Sequence, residues 1–103
     1  MSMSDMFKNL GNLKQQMGQI KEAVEKITAE GEAGAGLVKA KSNGGGKLLS
    51  VSIDLSLLNE KDQEMVEGLI VSAVNQSIEK AREATENEMK GLMNLPGMDK
   101  LFQ

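Results

Sequence analysis

Lys8, Lys14 and Lys21 lie on a stretch with no acid between Asp5 and Glu22, interleaved with Gly11, Gly18, Asn9, Asn12, Gln15, Gln16 and Gln19. Ammonium groups and uncharged amides are the donors that bind phosphate oxygens, and amides also read base edges. A glycine inside a helix costs about 1 kcal/mol relative to alanine. Two of them a heptad apart, beside lysines, point to close approach of another backbone or of a phosphate. A solvated face that tolerates its glycines is the plainer reading, and both stand on these residues alone.

The other reactive groups are few. There is no cysteine and no histidine. That removes disulfides, thiolate metal sites, thiol nucleophiles and the commonest general base and metal ligand. Gly44-Gly45-Gly46 has no Gly-Lys-Ser/Thr after it and no helix opening there, so it reads as a turn, not a phosphate cradle. Glu60, Asp62, Glu64 and Glu67 stand where a helix begins, and the dipole favours acids there. Glu79, Glu83 and Glu86 share one helical face with Arg82 and Lys90 nearby, which reads as solvated ion pairing. No catalytic residue, metal site, cofactor or small-molecule substrate is expected, so the chain does not read as an enzyme. Two Phe and no Trp or Tyr leave little for stacking single-stranded bases. No apolar run approaches the roughly 20 residues that cross a bilayer, and no signal-peptide h-region is seen. The expectation is a cytoplasmic protein with no membrane contact.

Elements must position these groups. Met6, Leu10, Leu13, Met17, Ile20, Val24 and Ile27 recur at alternating steps of four and three, a heptad seam suited to another helix. The pattern predicts a helix over about 4–29, capped by Ser4 and stopped by Gly31. Strands follow over about 31–54: a short Gly-softened edge over 32–36, then Leu37–Ser42 and Leu49–Ile53 joined by a turn at 43–46. A second helix is predicted over about 60–93, N-capped by Asn59 and ended by Asn94-Leu95-Pro96-Gly97, with a short tail 94–103. Its apolar stripe is a double row as far as Ile78 and thin afterwards. The first half therefore belongs in a core and the second projects. Ile20–Ile27 is assigned to the body, and Met6–Met17 to an arm packed on the thin half of the second helix.

The net charge of −3 is unevenly spread: residues 1–53 have seven lysines against five acids, and residues 54–103 five bases against ten acids. Binding of a polyanion then requires the positive charge to be concentrated locally.

Asn9-Leu10-Gly11-Asn12-Leu13-Lys14-Gln15-Gln16-Met17, Gly31-Glu32-Ala33-Gly34-Ala35-Gly36-Leu37-Val38-Lys39, Val51-Ser52-Ile53-Asp54 with Ser56-Leu57-Leu58, and Gly91-Leu92 with Leu95-Pro96-Gly97 occur in this order. Together they resemble the YbaB/EbfC family of bacterial nucleoid-associated proteins over nearly the whole chain, the Gly-Glu-Ala-Gly-Ala-Gly-Leu-Val block being the specific part. Leu55 stands where that family often has Pro, and the far half of the second helix is acidic, with Lys80, Arg82 and Lys90 its only bases.

The resemblance implies one α+β domain: long helix, three-stranded antiparallel meander, long helix. It implies a homodimer through the sheets with projecting helical arms, binding double-stranded DNA in the nucleoid and regulating genes. Lys8, Asn12, Lys14, Gln15 and Lys21 are then the expected DNA contacts, with Lys90 and Lys100 as helpers at the arm tip and Lys39 and Lys41 on the sheet. The competing reading is a structural adaptor whose seam captures a partner's helix through Met6, Leu10 and Leu13.

Overall fold

A computed structural model describes residues 2–59 and 61–93. Helix α1 runs Met3–Lys26, strands β1, β2 and β3 run Thr28–Ala33, Val38–Asn43 and Leu48–Ile53, a 3-10 turn spans Leu55–Asn59, and helix α2 runs Gln63–Met93. The sheet is antiparallel in the order β1-β2-β3. This is the expected α+β architecture.

Several boundaries differ from those read in the sequence. The cap of α1 is Ser2, whose Oγ accepts from the Asp5 N–H at 3.3 Å, not Ser4. The helix ends at Lys26, with Ile27 extended at φ −76°, ψ 120°. Thr28–Glu30, expected to be near the helix end, form the first half of β1. The β-branched pair Ile27-Thr28 favours this extended entry. Gly31 is therefore no helix stop. It lies mid-strand opposite Ala40, and an added Cβ would collide with Ala73 O and Ser77 N of α2. The glycine is there because the helix backbone rests directly on the strand. Gly34 to Gly36 form the β1–β2 turn with φ of 65°, 57° and 88°. At the second helix the cap is Asp62, whose Oδ1 accepts from the Met65 N–H at 3.1 Å.

Close approach explains the core. Ala73, Ser77 and Ala81 are the fully covered residues of α2, spaced four apart on one line. Val38, Ala40 and Ser42 face them from β2. Larger side chains (Leu69, Ile70, Val74) flank this line half-buried. Ser77 Oγ donates to Val74 O at 2.8 Å, so the 2.7 Å contact between the buried hydroxyls has Ser42 donating to Ser77. Gln76 Oε1 accepts the Glu32 N–H at 2.6 Å and ties β1 to the same helix.

Helix α2 covers β1 and β2 and barely reaches β3. Val51 and Ile53 sit opposite Ala40 and Val38 and share their inner face, yet Val51 stays exposed, as do Leu48 and Leu49. A register shift between Lys41 and Ser42 sets Leu48 against Ser42, leaving Leu49 as the extra residue. The expected unbroken alternation of Leu49, Val51 and Ile53 on one greasy face is interrupted there.

Helix α1 has no buried residue and touches the body chiefly at β2. Its C-terminus is anchored where the Gly44 N–H donates to Ile27 O at 2.8 Å. A Cβ on Gly44 would strike Thr85 Oγ1 and lie 2.7 Å from Val24 O. Thus α1, α2 and the hairpin meet at one glycine. The rest of α1 projects, and the Cα radius of gyration is 20.1 Å, against about 13 Å for a compact chain of this length.

Candidate nucleic-acid interface

The projecting helix carries most of the candidate residues, and all of them are exposed. At about 100° per residue, Lys14 and Lys21 fall within roughly 20° of each other, about 10 Å apart along the axis. They flank the apolar seam. Lys8 belongs elsewhere: it lies some 120–140° around from them. Lys8, Asn12 and Gln15 share a second row, joined by Gln19 and Lys26, all within an arc of about 60°. The three lysines of the acid-free stretch therefore fall in two rows.

Gly11 and Gly18 lie between the rows. Among the described residues nothing approaches within 4 Å of a Cβ built on either, so none of them uses the space they leave. The result is a shallow strip with ammonium donors along one edge and ammonium and amide donors along the other. Such a strip admits a phosphodiester backbone closer to the helix axis than a face of larger residues would. The strip, and Gln19 and Lys26 beside it, follow from the turn angle of a helix. The glycines and Gln19 stand out in the sequence as well; Lys26 and the division into two edges do not.

Charge is graded along α1. Between Asp5 and Glu22 the helix carries lysines only, while Glu22 and Glu25 offset Lys21 and Lys26 at the body end. The N-terminal dipole adds partial positive charge at the tip. The outer two-thirds of the arm is therefore the cationic part of an acidic protein.

The other candidates are separate. Lys90 is exposed in the last turn of α2, about 7–8 Å past Thr85. It sits at the Lys21 end of α1, while Lys8 is about 24 Å from the junction at Val24. Lys39 and Lys41 lie on the outer sheet face directly opposite Glu32 and Glu30, so their charge is met within the sheet. Arg82 pairs with Glu79 at 2.8 Å. Lys100 lies outside the described residues.

The expected packing of Met6–Met17 on the far half of α2 does not occur. From Thr85 the described helix extends only about 12 Å to Met93, whereas Met6 is about 27 Å from Val24. Length forbids it for Met6 to Leu13, and Met17, within reach, is left 63% exposed. Val24 and Ile27 are half-buried at the body, but Ile20 is exposed, so the body claims less of the seam than expected.

Among the described residues no group of three or more acids is placed to hold a metal ion. No described helix is long and apolar enough to cross a membrane.

Residues 1–96 match the family model described as the YbaB/EbfC DNA-binding family. A nucleoid-associated protein of Chlorobaculum parvum is 38% identical over 102 residues, covering 95% of this chain and 90% of that protein. One from Chlorobium phaeobacteroides is 43% identical over 86 residues, covering 84% and 76%. One from Clostridium novyi is 36% identical over 101 residues, covering 95% and 89%. The crystal structure of an uncharacterized protein from Helicobacter pylori is similar in fold, with a TM-score of 0.68 at 26% identity, covering 91% of this chain and 99% of that one.

Proposed function

The chain belongs to the YbaB/EbfC DNA-binding family, and from that premise we propose that it is a nucleoid-associated protein that grips double-stranded DNA through phosphate contacts along α1. The observation that carries this reading is the exposed, lysine-only stretch of a projecting helix, with donors on both sides of an open glycine strip. Lys14 and Lys21 contact phosphates from one side. Lys8, with the amides of Asn12 and Gln15, contacts them from the other, and Lys90 adds a contact at the body end. Contacts of this kind position a protein on DNA but carry little sequence information. The protein then organises DNA broadly and influences gene expression through occupancy and local DNA shape. Its site of action is the cytoplasmic nucleoid, and the whole chain acts as one domain.

The working form is a homodimer joined at β3. The two edge strands of the sheet differ sharply. Strand β1 carries Glu30 and Glu32, charges that deter strand addition, whereas Leu48–Ile53 has no charge and no proline. Unprotected edges of that kind pair with another strand. Leu48, Leu49 and Val51 are exposed, as are Leu55, Leu58 and Met65, enough apolar surface to seed a specific contact.

Charge reversal tests the DNA reading. Lys14→Glu with Lys21→Glu should reduce affinity for a random-sequence duplex at least tenfold, with unchanged mass and thermal stability. The adaptor reading expects no effect of these changes on any binding partner and a strong effect of Leu10 or Leu13 substitution. Undiminished DNA binding by the lysine variant would defeat the proposal.

A further inference from the structure

The apolar stripe of α1 has no partner among the described residues. Met3, Met6, Phe7, Leu10, Leu13, Met17 and Ile20 are all exposed, Leu10 at 59% and Met17 at 63%. At roughly 60–120 Å² per fully exposed side chain, they leave on the order of 400 Å² of contiguous apolar surface. Patches of that size mark interaction sites. The described part of α2 ends too soon to reach Leu13 and the residues beyond it, and it leaves Met17 and Ile20 exposed.

The shape of the stripe says what covers it. Two shallow apolar depressions follow one another along the helix. One is lined by Met6, Asn9, Leu10 and Leu13, the next by Met3, Met6, Phe7 and Leu10. With Leu10 and Met17 at heptad position a, these are the d-g-a-d and a-d-e-a sets. They are the two kinds of four-residue hole that receive knobs from a facing helix.

We propose that α1 of one copy pairs with α1 of a second copy as a parallel two-stranded coil over Met3–Ile20. The seam is complementary to itself. Its a layers are Met3, Leu10 and Met17, its d layers are Met6, Leu13 and Ile20, and none is polar. The flanks set the direction. Lys14 and Lys21 occupy e, while Asn9 and Gln16 occupy g. A parallel pair places g against e, so Asn9 meets Lys14 of the second copy and Gln16 meets Lys21, amide against ammonium. An antiparallel pair sets e against e and opposes lysine to lysine.

This contact is distinct from the β3 edge and does not rest on the DNA reading. Lys8 and Gln15 occupy f, and Asn12 and Gln19 occupy c, on the outside of such a coil. The Lys8, Asn12, Gln15 and Gln19 row of each copy therefore faces outward, one on each side, where two duplexes could be held at once. A molecule with self-contacts at both α1 and β3 assembles beyond a dimer.

The chain has no cysteine, so single cysteines report proximity directly. Met6→Cys, Leu13→Cys and Ile20→Cys, all d positions, are made in the full chain and mildly oxidised without DNA. Gln15→Cys, at f, is the control. A disulfide requires Cβ atoms about 3.8 Å apart, so all three d variants should form covalent dimers at least tenfold faster than the control. An antiparallel pair links at most one of the three. A seam occupied by a different protein or by the chain's own tail links none. Either result, or linking as fast at Gln15, overturns the proposal. Because no residue of α1 is buried, these variants retain the body fold, which circular dichroism checks. In light scattering, Leu10→Glu with Leu13→Glu should lower the weight-average mass about twofold; an unchanged mass also overturns the proposal.

Discussion

Replacing Gly31 by alanine tests the packing that positions both helices. The new Cβ meets Ala73 O and Ser77 N, with Gln76 C at 2.9 Å. All three are backbone atoms of a helix, so no rotamer change relieves them. Overpacking of a tight core costs roughly 1–3 kcal/mol. Lifting α2 off β1 also stretches the buried Ser42–Ser77 hydrogen bond and the Gln76 link to Glu32, and a buried hydroxyl that loses its partner costs about 1–3 kcal/mol. Together the loss is about 3–5 kcal/mol, a large part of the ~5–15 kcal/mol that holds a small domain folded. Urea denaturation at fixed protein concentration, with a slope of about 1 kcal/mol per molar, should show the midpoint falling by about 3–5 M. Gly11→Ala is the matched control, since its Cβ enters open space, and it should gain about 0.5–1 kcal/mol. If Gly31→Ala melts within about 0.3 M of the parent, the close contact between α2 and β1 is wrong.

Other consequences follow from the same contacts. Ser77→Ala strands the Ser42 hydroxyl and should cost about 1–3 kcal/mol, and adding Ser42→Ala should recover part of it in a double-mutant cycle. Gly44→Ala should loosen the junction of α1 with the body, read as faster amide exchange at Ile27 and Thr28, because its Cβ would strike Thr85 and Val24. The Ser56 backbone N–H, which donates to Asp54 Oδ1 at 2.9 Å, and then the Ser56 hydroxyl hold the exposed Asp54 carboxyl below its ordinary 3.8. A carboxyl lowered on folding contributes stability above its unfolded value that is lost as pH falls through the folded one. Asp54→Asn should therefore flatten the acid limb of stability below about pH 4, seen as a smaller drop in midpoint on acidification than in the parent.

The seam of α1 was fully legible from spacing, because periodicity needs no knowledge of neighbours. What covers the seam was not legible, since that depends on how far α2 runs past the junction. The end of α1 was misplaced because Gly31 resembles a helix stop. Its true role, yielding room to the backbone of α2, exists only once the sheet and helix are stacked. Ser77 was passed over for the same reason: the reading weighted large apolar residues, whereas the closest approach is made by small ones. The hairpin was recognisable from Asn43-Gly44, but the second duty of Gly44 at the junction with Val24 and Thr85 was not. At the candidate interface, Lys14 and Lys21 fall where the heptad puts them. Lys8 does not, and the helix turn angle alone would have separated it. That the ligand is DNA came from the resemblance, since lysines and amides on an open helix specify phosphate chemistry and nothing finer.

The central claim is phosphate binding along α1, and the salt dependence of binding to a random-sequence duplex tests it most directly. Neutralising each phosphate contributes about −0.9 to the slope of log affinity against log salt. With Lys8, Lys14, Lys21 and Lys90 engaged in each of two copies, the parent should show a slope of about −7, and Lys14→Glu with Lys21→Glu should bring it to about −4 or shallower. A parent slope near zero, or one unchanged by the double substitution, would contradict the account.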